Sequence, residues 1–196
     1  MGLLHELELS EGGHRYELLS NDTPDHHHLI CIRCGRTEEF DANKIHEVLF
    51  WATKDIKGVS VSDIEINAKL QVFDGIKSVN IHQLLIQSAA DLISEDNPNY
   101  QIVAANLLNY YLRKQVFGVS DNMPSLLDVI KKNIKIGVYD PELLEQYTEE
   151  ELDQLDNYIK HNREYLFVYA GLQQLVDKYL LHDRQSNMVY ESPQYM

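Results

Sequence analysis

The stretch from Tyr100 to Phe117 constrains this chain most. Ile102, Val103, Leu107, Leu108, Tyr111 and Leu112 leave it no consistently polar side. A helix that is apolar nearly all round is stable in water only when other elements surround it. Pro98 breaks any helix running into it, and Gly118 supplies a stop. The pattern predicts a buried central helix whose jacket the remaining chain must provide. With 196 residues, there is material for one large domain or two small ones.

The jacket reads as helical. Ile45, Val48, Leu49 and Ala52 recur at helical spacing after Asp41, a suitable N-cap. A second helix is expected to be capped by Ser62 and to end before Asp74-Gly75. A third carries Ile81, Leu84, Leu85, Ser88, Leu92 and Ile93 up to Pro98. Beyond Gly118 the helices continue. Thr148-Glu149-Glu150-Glu151 has the form of a capping box. A long helix is expected through Tyr165, Tyr169, Leu172, Leu175 and Tyr179, and Met188–Glu191 reads as the start of a strand.

Residues 1 to about 40 read differently. Two short runs flank Gly12-Gly13, a pattern that suggests a β-hairpin. Leu29–Ile32 is a strand candidate that Gly35 turns toward Thr37–Phe40. The expected fold class is mainly α (α+β): a small N-terminal β-element, a bundle of four helices and a further helical layer.

Charge narrows the function. The net charge is −14, which opposes approach to a phosphate backbone, so no DNA partner is expected. No apolar run approaches the roughly 20 residues that cross a bilayer, so no membrane partner is expected either. The N-terminus lacks signal-peptide character, and the two cysteines form a single C-x-x-C, Cys31 and Cys34. A cytoplasmic location is the simplest expectation. No Walker lysine loop, H-E-x-x-H or Ser-His-Asp order is present.

The densest cluster of ligand-type residues is His26-His27-His28 followed by Cys31 and Cys34. Thiolates and imidazoles suit zinc or iron, and C-x-x-C provides half of a tetrahedral site. Loop histidines beside two strand cysteines are the plainer alternative. His28 and Cys31 on one strand would face opposite ways, which works against convergence of all four groups.

Residues 2 to about 40 resemble the ferric uptake regulator family of metal-dependent repressors. The likeness rests on Gly2-Leu3-Leu4, Tyr16-Glu17-Leu18, the run His26 to Gly35, and Glu39-Phe40. It implies regulatory-metal ligands at Glu17, His26, His28 and Glu39, and half of a structural zinc site at Cys31 and Cys34. The family's DNA-reading helices and second cysteine pair have no counterpart here. Residual metal binding is therefore the most that this likeness implies.

From about Gly35 to Met196 the chain resembles another family, the large subunit of class I ribonucleotide reductase at its N-terminal end. Gly35–His46 resembles the opening of the ATP-cone. Trp51-Ala52, Phe73–Ser78, Ile81-His82, Ala89–Ser94, Pro98–Gln101 and Leu112-Arg113-Lys114 match the rest of the cone. Tyr139-Asp140, Leu143-Leu144, Tyr147–Glu151, Lys178–Leu180 and Tyr190–Tyr195 match the helical region that follows. The implied domains are a metal-type fragment over 1–40, a nucleotide-binding cone over 30–118, and the beginning of a helical domain over 119–196. The implied ligand is ATP or dATP, bound as an allosteric effector. The implied partners are other reductase subunits or a second copy. The reductase's barrel cysteines are absent, so the chain alone is expected to be inactive.

The residues fit that ligand chemically. A triphosphate needs fixed cations and oriented donors. Lys44 lies in the first turn of a helix, where free N–H groups favour anions. Lys114 lies at the far end of the apolar helix, where an unpaired ammonium is costly to bury and a triphosphate would partner it. Ser78 offers a hydroxyl, His82 suits a ribose, and Glu38 and Asp41 suit an adenine amine. Singly, each has an ordinary surface or capping role as its alternative. Ile32 replaces the lysine usual in the cone's first strand, which leaves Arg33 as the remaining cation there. Asn80 replaces an acidic residue common among relatives. The two resemblances overlap over Leu29–Phe40, as expected of a fused, recombined or composed sequence.

Overall fold

The computed structural model describes the backbone of residues 3–8, 14–19, 28–30, 37–39, 42–69 and 78–196, with side chains over 43–68 and 79–196. The described chain is mainly helical. It divides into two compact units, Met1–Leu92 and Ile93–Met196.

In the first unit, β1 (Leu3–Glu8) pairs antiparallel with β2 (His14–Leu19), with Leu3 opposite Leu19. The Gly12-Gly13 turn expected between them lies outside the described residues. β3 (His28–Ile30) pairs antiparallel with β4 (Thr37–Glu39). Three helices follow: α1 (Ala42–Thr53), α2 (Val61–Lys69) and α3 (Ser78–Ala90). α2 packs against both α1 and α3. Leu49 and Ala52 of α1, Ile64 and Ala68 of α2, and Ile81, Leu85, Ile86 and Ala89 of α3 are buried. Two polar links add to this apolar packing. His46 Nδ1 lies 2.8 Å from Glu65 Oε1 between α1 and α2. Asn67 Nδ2 donates to the Ser88 carbonyl at 3.3 Å between α2 and α3.

Two sequence expectations change here. The hydroxyl that caps α2 belongs to Ser60, which accepts from the Asp63 N–H at 3.3 Å; Ser62 lies inside the helix. An N-cap serves the N–H two or three residues on, so the cap stands just outside the first helical residue. α3 ends at Ala90, well short of Pro98. Its end is a turn in which the Leu92 N–H reaches back to the Ala89 carbonyl, and Ile93 is left exposed.

The second unit is built on α4 (Tyr100–Phe117). Val103, Ala104, Ala105, Leu107, Leu108, Leu112 and Val116 are all buried, as its composition requires. Gly118 ends it in the left-handed region at φ 83°, with its N–H bonded to the Lys114 carbonyl. The boundary at Leu92 groups α4 with the helices that follow it. α4 packs on α8 (Tyr169–Lys178) and on a 3-10 segment, His161–Leu166. Leu112 and Val116 share a core with Leu180 and Val189.

The remaining helices are α5 (Leu126–Lys135), α6 (Leu143–Gln146) and α7 (Glu149–Tyr158). α5 and α7 enclose a second core around Leu126, Ile130 and Leu152. The Thr148/Glu151 capping box forms in both directions. The long helix expected through Tyr165 and Tyr179 is broken: a 3-10 segment ends at Leu166, and α8 begins only at Tyr169. Val189 makes a single antiparallel bridge with His182 in place of a strand.

Candidate functional site

The nucleotide candidates fall in both units. In the first, Lys44 is the third residue of α1 and is exposed. His82 lies in the first half of α3 and is half-buried, and Ser78 is that helix's first residue. Glu38 occupies the centre of β4, opposite Leu29. Asp41 and Arg33 lie outside the described residues.

Lys114 lies in the last turn of α4, in the second unit. It is half-buried, and its ammonium sits 4.5 Å from the centre of the Tyr110 ring one turn earlier. The sequence expectation of a buried ammonium needing a ligand as its partner is corrected on this point. A π face already meets it, as the quadrupole of a phenol ring allows.

Of the metal candidates, His28 and Glu39 stand directly opposite each other across β3 and β4. Glu17 stands opposite His5 across β1 and β2. His26, Cys31 and Cys34 lie outside the described residues. Among the described residues, no three His, Cys, Asp or Glu side chains group as a metal site. Among them too, no helix is long and apolar enough to cross a membrane.

The strongest polar constellation in the described chain was not found from the sequence. Arg113, next to Lys114, is buried with Glu164. The Arg113 Nε and Nη2 atoms approach Glu164 Oε2 at 2.9 and 2.8 Å. Nη2 also donates to the His161 carbonyl at 2.6 Å, and Nη1 donates to Tyr165 Oη at 3.0 Å. Asn109 Nδ2, one turn earlier on α4, donates to the Glu164 carbonyl at 2.7 Å. A guanidinium so fully engaged with protein acceptors has no geometry left for a phosphate. Arg113 is a structural cation, whereas among the described residues Lys114 has no carboxylate paired with its ammonium.

Burial pushes the Glu164 carboxyl up. The polar groups of His161 and Ser192 and the charge of Arg113 outweigh that and hold it below the usual carboxylate range. His161 Nδ1 is 3.5 Å from Glu164 Oε1, an electrostatic contact that is too long for a good hydrogen bond. The arrangement also holds the segment that the sequence singled out at Tyr190–Tyr195. Ser192 is fully buried, and Glu191 accepts from Tyr139 Oη at 2.8 Å and from the Leu181 N–H at 3.0 Å. Tyr195 donates to the Pro124 carbonyl at 2.9 Å and meets the Phe117 and His161 rings edge-on. Burial pushes both the Tyr139 and Tyr195 phenols up, reinforced by Glu191 at the former and by Asp156 at the latter.

A mainly helical chain with this order of motifs has its likeness among reductase large subunits, and comparison with known proteins finds it there. The chain is 45% identical over 168 residues to the ribonucleoside-diphosphate reductase 1 subunit alpha of Salmonella typhimurium strain LT2, across 86% of this chain and 22% of that protein. It is 44% identical over the same extent to the corresponding Escherichia coli K12 subunit. It is 40% identical over 163 residues to the subunit alpha of Enterobacteria phage T4. The chain thus spans about a fifth of the length of these relatives. Residues 1–69 also match the model of the ferric uptake regulator family. Both resemblances read from the residues are therefore found. The ferric uptake regulator match extends through α1 and α2, well past residue 40. Laid end to end the two matches would exceed the chain, so they overlap.

Proposed function

We propose that the chain is an adenine-nucleotide-binding regulatory module of the reductase large-subunit type, with ATP or dATP as its effector. The observation that carries this is the identity of 45% across 86% of the chain, which spans every candidate nucleotide residue from Glu38 to Lys114. The chemistry supports it. Lys44 is exposed in the first turn of α1, where helix N–H groups and dipole favour phosphate. Among the described residues, the Lys114 ammonium is not bound to a carboxylate. Glu38 and Asp41 are assigned to the base, His82 to the ribose, and Ser78 and Arg33 to the phosphates. Reduction of ribonucleotides would need the remainder of such a subunit. Loss of either lysine should weaken binding about tenfold or more, the equivalent of one charged hydrogen bond. Calorimetric titration of the wild type, Lys44→Ala and Lys114→Ala with ATP, dATP and GTP tests this. Equal binding of all three nucleotides, or indifference to both lysines, would reject the site.

A second reading rests on the match of residues 1–69 to the ferric uptake regulator family. It assigns zinc or iron to Cys31 and Cys34 with His26, His28, Glu17 and Glu39. The opposed register of His28 and Glu39 favours it. Elemental analysis of untagged protein decides it, since metal content unchanged by Cys31→Ser would remove the cysteines from the site.

A further inference from the structure

We infer that Tyr110 is a positioning residue for Lys114, and so sets how well the proposed site holds a nucleotide phosphate. The inference rests on the nucleotide reading above. The two residues lie one turn apart on α4, and the ammonium is 4.5 Å from the ring centre. This spacing puts both side chains on one side of the helix. A free lysine side chain samples many rotamers, and binding an anion must freeze them. The Tyr110 face holds the chain in one arrangement beforehand. It does so without neutralising the charge, because a ring quadrupole attracts a cation but carries no net charge. A carboxylate in the same place would compete with phosphate, whereas an uncharged ring does not. The contrast with Arg113 is direct. That neighbouring cation is paired with Glu164, whereas among the described residues Lys114 is held by a ring and not by a carboxylate.

The test is calorimetric titration of the whole chain with dATP, using variants at both positions. Tyr110→Phe keeps the π face and should lose much less affinity than Tyr110→Leu. Tyr110→Leu should weaken binding about three- to tenfold. In a Lys114→Ala background, Tyr110→Leu should cost nothing further, because there is no ammonium left to position. Phenylalanines of increasing fluorination at position 110 give a readout that a packing role would not move. Affinity should fall stepwise as the ring quadrupole weakens at nearly constant shape, and this series also serves if Tyr110→Leu fails to fold. Three outcomes overturn the inference while leaving the nucleotide site standing. They are a flat fluorination series, a Tyr110→Phe loss as large as that of Tyr110→Leu, and an undiminished Tyr110→Leu effect without Lys114. Wild-type affinity in Lys114→Ala is a different result. It rejects the phosphate role of Lys114 itself, and the role of Tyr110 falls with it.

Discussion

Glu164 holds a negative charge where water does not reach, and the guanidinium of Arg113 on Oε2 is what offsets it, since among the described residues Oε1 has no hydrogen-bond partner. Its carboxylate takes two contacts from Arg113, and its own carbonyl takes one from Asn109. Such a pair is a poor source of net stability, but breaking it strands a buried charge. Glu164→Ala is therefore expected to cost about 3–5 kcal/mol in urea unfolding, with Arg113 left uncompensated. The double variant Arg113→Met/Glu164→Leu should recover most of that loss, since packed apolar groups replace both charges. No recovery would mean that the surrounding polar contacts matter more than the charge balance. The same carboxylate governs acid sensitivity. Its folded value is depressed below its unfolded one, so its contribution is complete above the ordinary carboxylate range, about 4.3. It is lost as pH falls through the folded value. Unfolding midpoints should decline from about pH 5 downward, and Glu164→Gln should flatten that decline. An equally steep decline in the variant would locate the acid sensitivity elsewhere.

At the scale of elements, local signals were readable and long-range ones were not. The limits of α4 follow from Pro98, Gly118 and the apolar run between them. The start of α7 follows from Thr148 and Glu151, two residues that satisfy each other's backbone neighbours. The break between the 3-10 segment and α8 could not be read this way. Tyr165, Tyr169, Leu172 and Leu175 keep helical spacing across it, and the groups bound there, Arg113 and Asn109, lie far back in the chain. At the candidate site, Lys44 and Lys114 were found through the family pattern. The Tyr110–Lys114 contact follows the one-turn spacing of the two residues, but the apolar run around them signals burial in place of a polar contact. The Arg113–Glu164 pair carries no local signal at all. Gly118 tests the readable part. At φ 83° it takes a conformation in which a Cβ collides with the backbone. Gly118→Ala should cost about 1–2 kcal/mol, seen as a lower melting temperature with helix content nearly unchanged. A neutral result would show that the end of α4 can relax.

For the whole molecule, one chain carries two matches that share residues: one to the ferric uptake regulator family over 1–69 and one to reductase alpha subunits over 86% of its length. The two readings proposed above name different ligands, and a ligand that binds only the folded state raises stability by an amount fixed by its occupancy. dATP at a hundred times its dissociation constant should add about 2.7 kcal/mol to unfolding. ATP should act similarly, while GTP should give a much smaller shift at equal concentration. If a metal held residues 1–69 together, a chelator would lower the melting temperature before any nucleotide was added, because metal affinity is then part of the folding free energy. The nucleotide reading expects a shift with dATP that a chelator leaves intact in magnesium-free buffer. Differential scanning measurements with dATP, GTP and chelator, alone and in pairs, separate these cases. A chelator effect without a dATP effect would assign the chain to its metal-type kinship. A dATP shift that falls to about half or less in Lys114→Ala, as a site about tenfold weaker requires, would place the ligand on α4, the helix from which the second unit is built.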